Sequence, residues 1–139
     1  MILVIAEHRN GKVNRASWET IAAAQALAGM PAGLPAGASA KAGASTTAGG
    51  LPIKVAVLGA STSGLASELA AARITEVLVA EDPALEAYTP DGYAAAIQTV
   101  VDVVSPSFVL MPHTYQTSDC APMVAARLRK ALMTDVTGI

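Results

Sequence analysis

The sequence predicts an α/β fold: an open parallel sheet with helices on both faces, in three layers. Three observations carry that prediction. Short, mainly apolar runs stand near residues 2–6, 53–58, 77–80 and 108–111, the first continuous and rich in β-branched residues, the pattern of strands buried on both faces. Segments of helical periodicity separate them, which is the spacing of βαβ units with right-handed crossovers. The 139 residues are 53% hydrophobic and 14% charged, enough apolar material for the core of one domain.

Taken in order, the first strand is the run Ile2 to Ala6, and the polar stretch from Glu7 to Lys12 reads as a loop with a turn signal at Asn10-Gly11. Trp18, Ile21, Ala24 or Gln25, and Ala28 then recur at helical spacing, with Ser17 as the expected cap. From Gly29 to Pro52 the chain is almost entirely Ala, Gly, Pro, Ser and Thr. So little side chain to bury cannot offset the entropy of ordering, and the stretch is expected to be a flexible surface insertion.

The second strand, 53–58, ends at Gly59, and residues 62–72 read as a small-residue helix with Leu65 and Leu69 one turn apart. A third strand at 77–80 leads to an acidic turn, Glu81-Asp82, expected to face solvent. Asp91 opens a helix whose apolar side holds Tyr93, Ile97, Val100, Val101 and Val104, and Ser105-Pro106 ends it. The fourth strand, 108–111, precedes a last helix expected near 117–132, with Pro122 early in it, where its missing N–H costs little. Thr134-Asp-Val-Thr reads as the start of another strand. A fold seldom stops there, so the chain is expected to be truncated, a fragment of a longer protein.

Composition excludes several classes. Nine Lys and Arg against eleven Asp and Glu give a net charge of −2, which argues against a nucleic-acid partner. Cys120 is the one cysteine, so no internal disulfide forms and a reducing compartment, read as a bacterial cytoplasm, fits. The N-terminus lacks the basic segment and length of a signal peptide. No apolar run reaches the roughly 20 residues of a membrane span, so no membrane insertion is expected.

Few residues point to chemistry. Gly59-Ala-Ser-Thr-Ser-Gly64 joins a strand to a helix, but Leu65 and Ala66 stand where a phosphate loop needs Lys and a hydroxyl. The preferred reading is a turn capped by Ser61, Thr62 or Ser63. The turn from His113 to Asp119 is the better candidate, because open α/β sheets bind ligands at the carboxyl ends of their strands. Thr114, Gln116, Thr117 and Ser118 are its candidate ligand- or partner-facing residues, with Ser118 or Asp119 as the helix cap. A capped turn facing a neighbouring subunit explains it equally well. A Ser–His–Asp arrangement using His8 or His113 with Asp119 is conceivable, but no nucleophile elbow accompanies it. No catalytic residue is assigned, and two His with one Cys at unrelated spacings give no metal site.

Four blocks in order resemble the N-terminal domain of the electron transfer flavoprotein alpha subunit. They are the opening strand with its Glu7-His8, the block from Lys54 to Gly59, the block from Glu76 to Asp82, and the stretch from Phe108 to Ile139. Within the last, Pro112 to Asp119, Pro122 to Ala126 and Thr134 to Thr137 follow the family pattern without a gap. Thr117-Ser118 replaces the family's glycine and basic residue, and Met123 replaces its arginine, so the usual positive charge of that turn is missing.

The resemblance implies a Rossmann-like three-layer fold of the adenine-nucleotide alpha-hydrolase type. It implies a heterodimer with a beta subunit that carries one FAD, bound mainly outside this segment. Electrons would come from acyl-CoA-type dehydrogenases and leave to a quinone oxidoreductase. On this reading residues 1–139 are an incomplete N-terminal scaffold, no FAD-binding or catalytic residue is expected in them, and the C-terminal FAD domain is absent from the chain. The rival readings are a stand-alone module binding AMP or ATP at the turns 59–64 and 113–119, and a small hydrolase.

Overall fold

The computed structural model describes residues 1–29 and 50–138. Most of the expected 29–52 insertion therefore lies outside the described residues. Four strands form one parallel sheet: β1 (Ile2–Ala6), β4 (Ile53–Gly59), β5 (Glu76–Glu81) and β6 (Phe108–Leu110), in the order β5-β4-β1-β6. The chain winds outward from β1 through β4 to β5, then crosses back to place β6 on the other side of β1. The direction of winding thus reverses between β1 and β6, and their carboxyl ends flank the crevice where such sheets usually bind ligands.

The two central strands are buried on both faces; every residue of β1 is at most 5% exposed. Alternate side chains feed two cores, as strand geometry requires. Ile2, Val4, Val55 and Val57 pack with Ile21, Ala24, Leu65 and Leu69 under helices α1 (Arg15–Leu27) and α2 (Ser63–Leu69). Leu3, Ile5, Ala56 and Leu58 pack with Leu85, Ala94, Ile97, Cys120 and Val124 under α3 (Pro90–Val104) and α4 (Tyr115–Leu128). The expected three layers are present.

Local chemistry shifts several boundaries. The expected loop after β1 is a hairpin of β2 (His8–Arg9) and β3 (Lys12–Val13). Asn10 and Gly11 close it with φ of 53° and 73°, the two positive values that a tight hairpin turn demands. Asn14, not Ser17, caps α1; its side chain accepts from the Ser17 N–H at 2.9 Å. The helix therefore starts at Arg15, and Ser17 turns inward, fully buried. Ser105, at φ 47°, ends α3 ahead of Pro106 as expected.

Thr114 rather than Ser118 or Asp119 caps α4. The helix begins at Tyr115, so Pro122 falls in its interior rather than early in it. There its missing N–H removes the i→i−4 bond to the Ser118 carbonyl, and Ser118 is solvent-exposed. Leu132, expected on the helix, lies past its end and is 44% exposed. Residues 130–138 have no regular secondary structure, so the strand expected from Thr134 is not formed.

Candidate functional site

The polar groups of the fold converge where the winding reverses. Glu7 leaves the end of β1, and its backbone is fixed by Ser17 from α1: the Ser17 Oγ accepts from the Glu7 N–H at 2.8 Å. The Ser17 Oγ lies 3.0 Å from both the Glu7 carbonyl and Asn14 Oδ1, either of which can accept its single hydroxyl proton. The Glu7 carboxylate thereby points across to the loop after β6, where the Thr114 hydroxyl donates to Glu7 Oε2 at 2.5 Å. The same Thr114 oxygen accepts from the Thr117 N–H at 3.1 Å and so caps α4.

A second fastening comes from the segment before α3. The Tyr88 hydroxyl lies 3.1 Å from the Gln116 carbonyl and 3.0 Å from Asp119 Oδ2. Its ring meets Tyr93 edge-on, with centroids 5.0 Å apart. Burial first, then the hydrogen bond to Asp119, pushes the Tyr88 phenol well above its usual range. Burial raises Tyr93 too, with the Glu7 charge adding to it. Cys120, 2% exposed beneath this cluster, has its thiol raised by burial, so it is inert rather than activated.

On the other side of the sheet, His8 Nε2 donates to the Leu58 carbonyl at 2.7 Å, so a neutral His8 carries its proton on Nε2. The imidazole passes directly over Gly59, where an added Cβ would stand 3.0 Å from His8 Nε2 and 3.1 Å from Thr62 Cγ2. Glu81, at the end of β5, accepts from both the Thr62 N–H at 2.7 Å and the Thr62 hydroxyl at 2.8 Å. Those two bonds hold the Glu81 carboxyl below its ordinary value.

The expected site residues therefore divide. Thr114 is the centre of the cluster. Thr117 and Gln116 contribute backbone groups to it, and Ser118 lies exposed in the first turn of α4 with its N–H bonded to the Thr114 carbonyl at 2.9 Å. The acidic pair faces solvent as expected and also works locally: Glu81 holds Thr62, and Asp82 caps a short 3-10 turn (Pro83–Leu85) by accepting from the Ala84 N–H at 2.8 Å. Thr62 precedes α2 but makes no side-chain cap to it. His113 faces outward, 3.7 Å from Asp135, while Asp119 serves Tyr88. The imagined triad is therefore not assembled. Among the described residues no cluster of three His, Cys, Asp or Glu side chains forms a metal site.

Sequence reasoning did not place Glu7, Ser17 or Tyr88 in this site; Ser17 was read only as a helix cap. The position of Glu7 directly after a fully buried strand was a usable signal. Nothing local marks Tyr88.

The arrangement does not suit a phosphate-bearing group such as FAD. At both strand-to-helix turns donors that could meet phosphate are taken by carboxylates: the Thr62 N–H and hydroxyl by Glu81 and the Thr114 hydroxyl by Glu7. An anion there would meet the like charge of Glu81 or Glu7. What the arrangement does provide is rigidity. Two ties spanning distant parts of the chain fix the first turn of α4, which presents Tyr115 at 98% exposure.

Comparison with known proteins bears on this surface. The model of the electron transfer flavoprotein domain family matches residues 35–139. The chain is 30% identical over 138 residues to the electron transfer flavoprotein subunit alpha of Bacillus subtilis, covering 99% of this chain and 36% of that one. It is 28% identical to the subunit of the same name from Thermoanaerobacterium thermosaccharolyticum, over 99% of this chain and 36% of that one. The acryloyl-CoA reductase electron transfer subunit beta of Anaerotignum propionicum is 29% identical over 136 residues, 98% of this chain and 32% of that one. The chain thus spans about a third of the length of these relatives.

Proposed function

The chain belongs to the electron transfer flavoprotein domain family, and on that premise we propose that it is the scaffold part of an FAD-containing electron carrier. The observation that carries the reading is the match of the family over most of the chain together with a turn that is rigid and already internally satisfied. Such a turn suits a docking surface better than a cofactor seat. The scaffold makes and breaks no bond. It holds a fixed surface against which a flavin-bearing part of the protein and a beta subunit are arranged, and FAD, when bound, supplies the redox chemistry from outside residues 1–139.

Thr114, Gln116, Thr117 and Ser118 form the partner-facing turn on this reading. Electrons enter from acyl-CoA-type dehydrogenases and leave to a quinone oxidoreductase in the cytoplasm. The name of the Anaerotignum propionicum relative supports the acyl-CoA assignment by analogy. Among the described residues no helix is long and apolar enough to cross a membrane, in keeping with a carrier that meets its acceptor at a membrane surface.

The test is co-expression of the full-length protein with its beta subunit. A one-to-one complex with a reducible flavin spectrum is expected. A folded protein that neither associates nor holds flavin would sink the reading. Calorimetry of residues 1–139 with AMP and ATP tests the rival nucleotide-binding module, against which the placement of Glu81 and Glu7 weighs. No heat of binding is expected.

A further inference from the structure

The hairpin turn Asn10-Gly11 carries chemistry that the electron-carrier reading does not use. The chain has two asparagines, Asn10 and Asn14, and only Asn10 is followed by glycine. We infer that Asn10 is a site of spontaneous modification in the folded protein: attack by the Gly11 backbone nitrogen expels its side-chain amide and leaves aspartate and isoaspartate.

The step balances with water alone. The Gly11 nitrogen gives up its proton to water and bonds to Asn10 Cγ, and ammonia leaves, closing a five-membered succinimide. One water then opens the ring. Breaking the bond from nitrogen to Cγ gives aspartate. Breaking the bond to the former backbone carbonyl gives isoaspartate, whose chain runs through the side chain and carries an extra atom through the turn.

Three features select this site. The first is access. Asn10 and Gly11 are both exposed, and an added Cβ on Gly11 would meet nothing within 4 Å. Glycine has no side chain to shield its own nitrogen. The second is a free nucleophile. The ladder pairs His8 with Val13 and Arg9 with Lys12, so the Gly11 N–H stands outside it and donates to no backbone carbonyl among the described residues. The third is mobility. Ring closure requires Asn10 to leave its left-handed conformation, φ 53°. Only those two residue pairs hold the turn, and so short a ribbon is marginal by itself. Local opening supplies the reactive geometry.

The two comparable positions in the chain are blocked. Asn14 Oδ1 caps α1 by accepting from the Ser17 N–H at 2.9 Å, and Arg15 follows it as the first residue of the helix. Asp91-Gly92 could close the same ring with loss of water, but it lies inside α3, where the Gly92 N–H donates to Thr89 Oγ1 at 3.3 Å.

Ageing the full-length native protein at mildly alkaline pH tests the inference. Cleavage after glutamate releases residues 8–19, which hold both asparagines. Isoaspartyl methyltransferase labelling and fragmentation then locate the product. Conversion at Asn10 should exceed that at Asn14 by roughly tenfold or more, the difference between an open turn and a capped helix start. Asn10→Gly, which suits a turn of this type, should abolish the label. Equal conversion at the two asparagines would overturn the inference. So would a native protein that keeps the Asn10 amide over the time in which the urea-unfolded protein loses it.

Discussion

The hydroxyl of Thr114 donates to the carboxylate of Glu7 across 107 positions of sequence, and that one bond ties the carboxyl ends of the two strands between which the winding of the sheet reverses. The same oxygen caps α4. Strand placement and helix initiation therefore depend on a single side chain, with Ser17 behind Glu7 holding the acceptor in position.

Removing that group should cost more than an ordinary cap. Thr114→Ala is expected to destabilise the fold by about 2 kcal/mol, the upper end for loss of a capping side chain. Thr114→Ser should restore most of it. Urea denaturation of the three proteins checks this; equal midpoints for Ala and Ser would show that the hydroxyl is not what matters.

Gly59 is required by the close passage of His8. A methyl group there meets His8 Nε2 at 3.0 Å and Thr62 Cγ2 at 3.1 Å. Gly59→Ala is expected to cost about 1–3 kcal/mol, as overpacking does. In the His8→Ala background the penalty should shrink, because one of the two crowding groups is gone. Strict additivity in that double-mutant cycle would refute the account.

Acid stability should carry the signature of Glu81. Its two bonds to Thr62 favour the ionised carboxylate and lower its folded value below the ordinary 4.5. A group depressed on folding contributes stability that is complete above the unfolded value and lost as pH falls through the folded one. Glu81→Gln should therefore flatten the pH dependence of stability below about 4.5 and leave its shape at neutral pH unchanged. An unaltered acid limb would remove Glu81 from the account.

Tyr88→Phe removes the tie from the segment before α3 to the Gln116 carbonyl and Asp119. Asp119 is exposed and is resolvated by water, so the cost should be near that of one ordinary hydrogen bond, about 1 kcal/mol. Thermal unfolding of Tyr88→Phe, Asp119→Ala and the double variant separates the two contacts.

Cys120 offers a reporter of the same region. It is buried, and its thiol is raised by burial. Alkylation by iodoacetamide at neutral pH should be slow in the native protein, and faster in Thr114→Ala as the first turn of α4 opens more often. Native labelling at the rate of a free thiol would contradict the packing described for α4.

By itself the sequence determined the architecture. Apolar runs rich in β-branched residues have one stable placement, between two layers of helices, and β1 and β4 occupy it. Asn10-Gly11 and Ser105-Pro106 act where they stand, because turn and cap chemistry is local. Family membership was legible for a related reason: strand ends and the turns after them carry short blocks of residues in fixed order. Only the tertiary structure decided which polar groups meet. Ser17 looked like a cap, and Thr114 was one of several hydroxyls in a polar turn. Their roles depend on partners 10 and 107 residues away, set by the order in which the strands assemble. The acidic pair after β5 shows the same limit. Glu81 is ordinary in sequence, and only the pairing of β4 with β5 brings it to Thr62, where its carboxylate accepts from both the N–H and the hydroxyl.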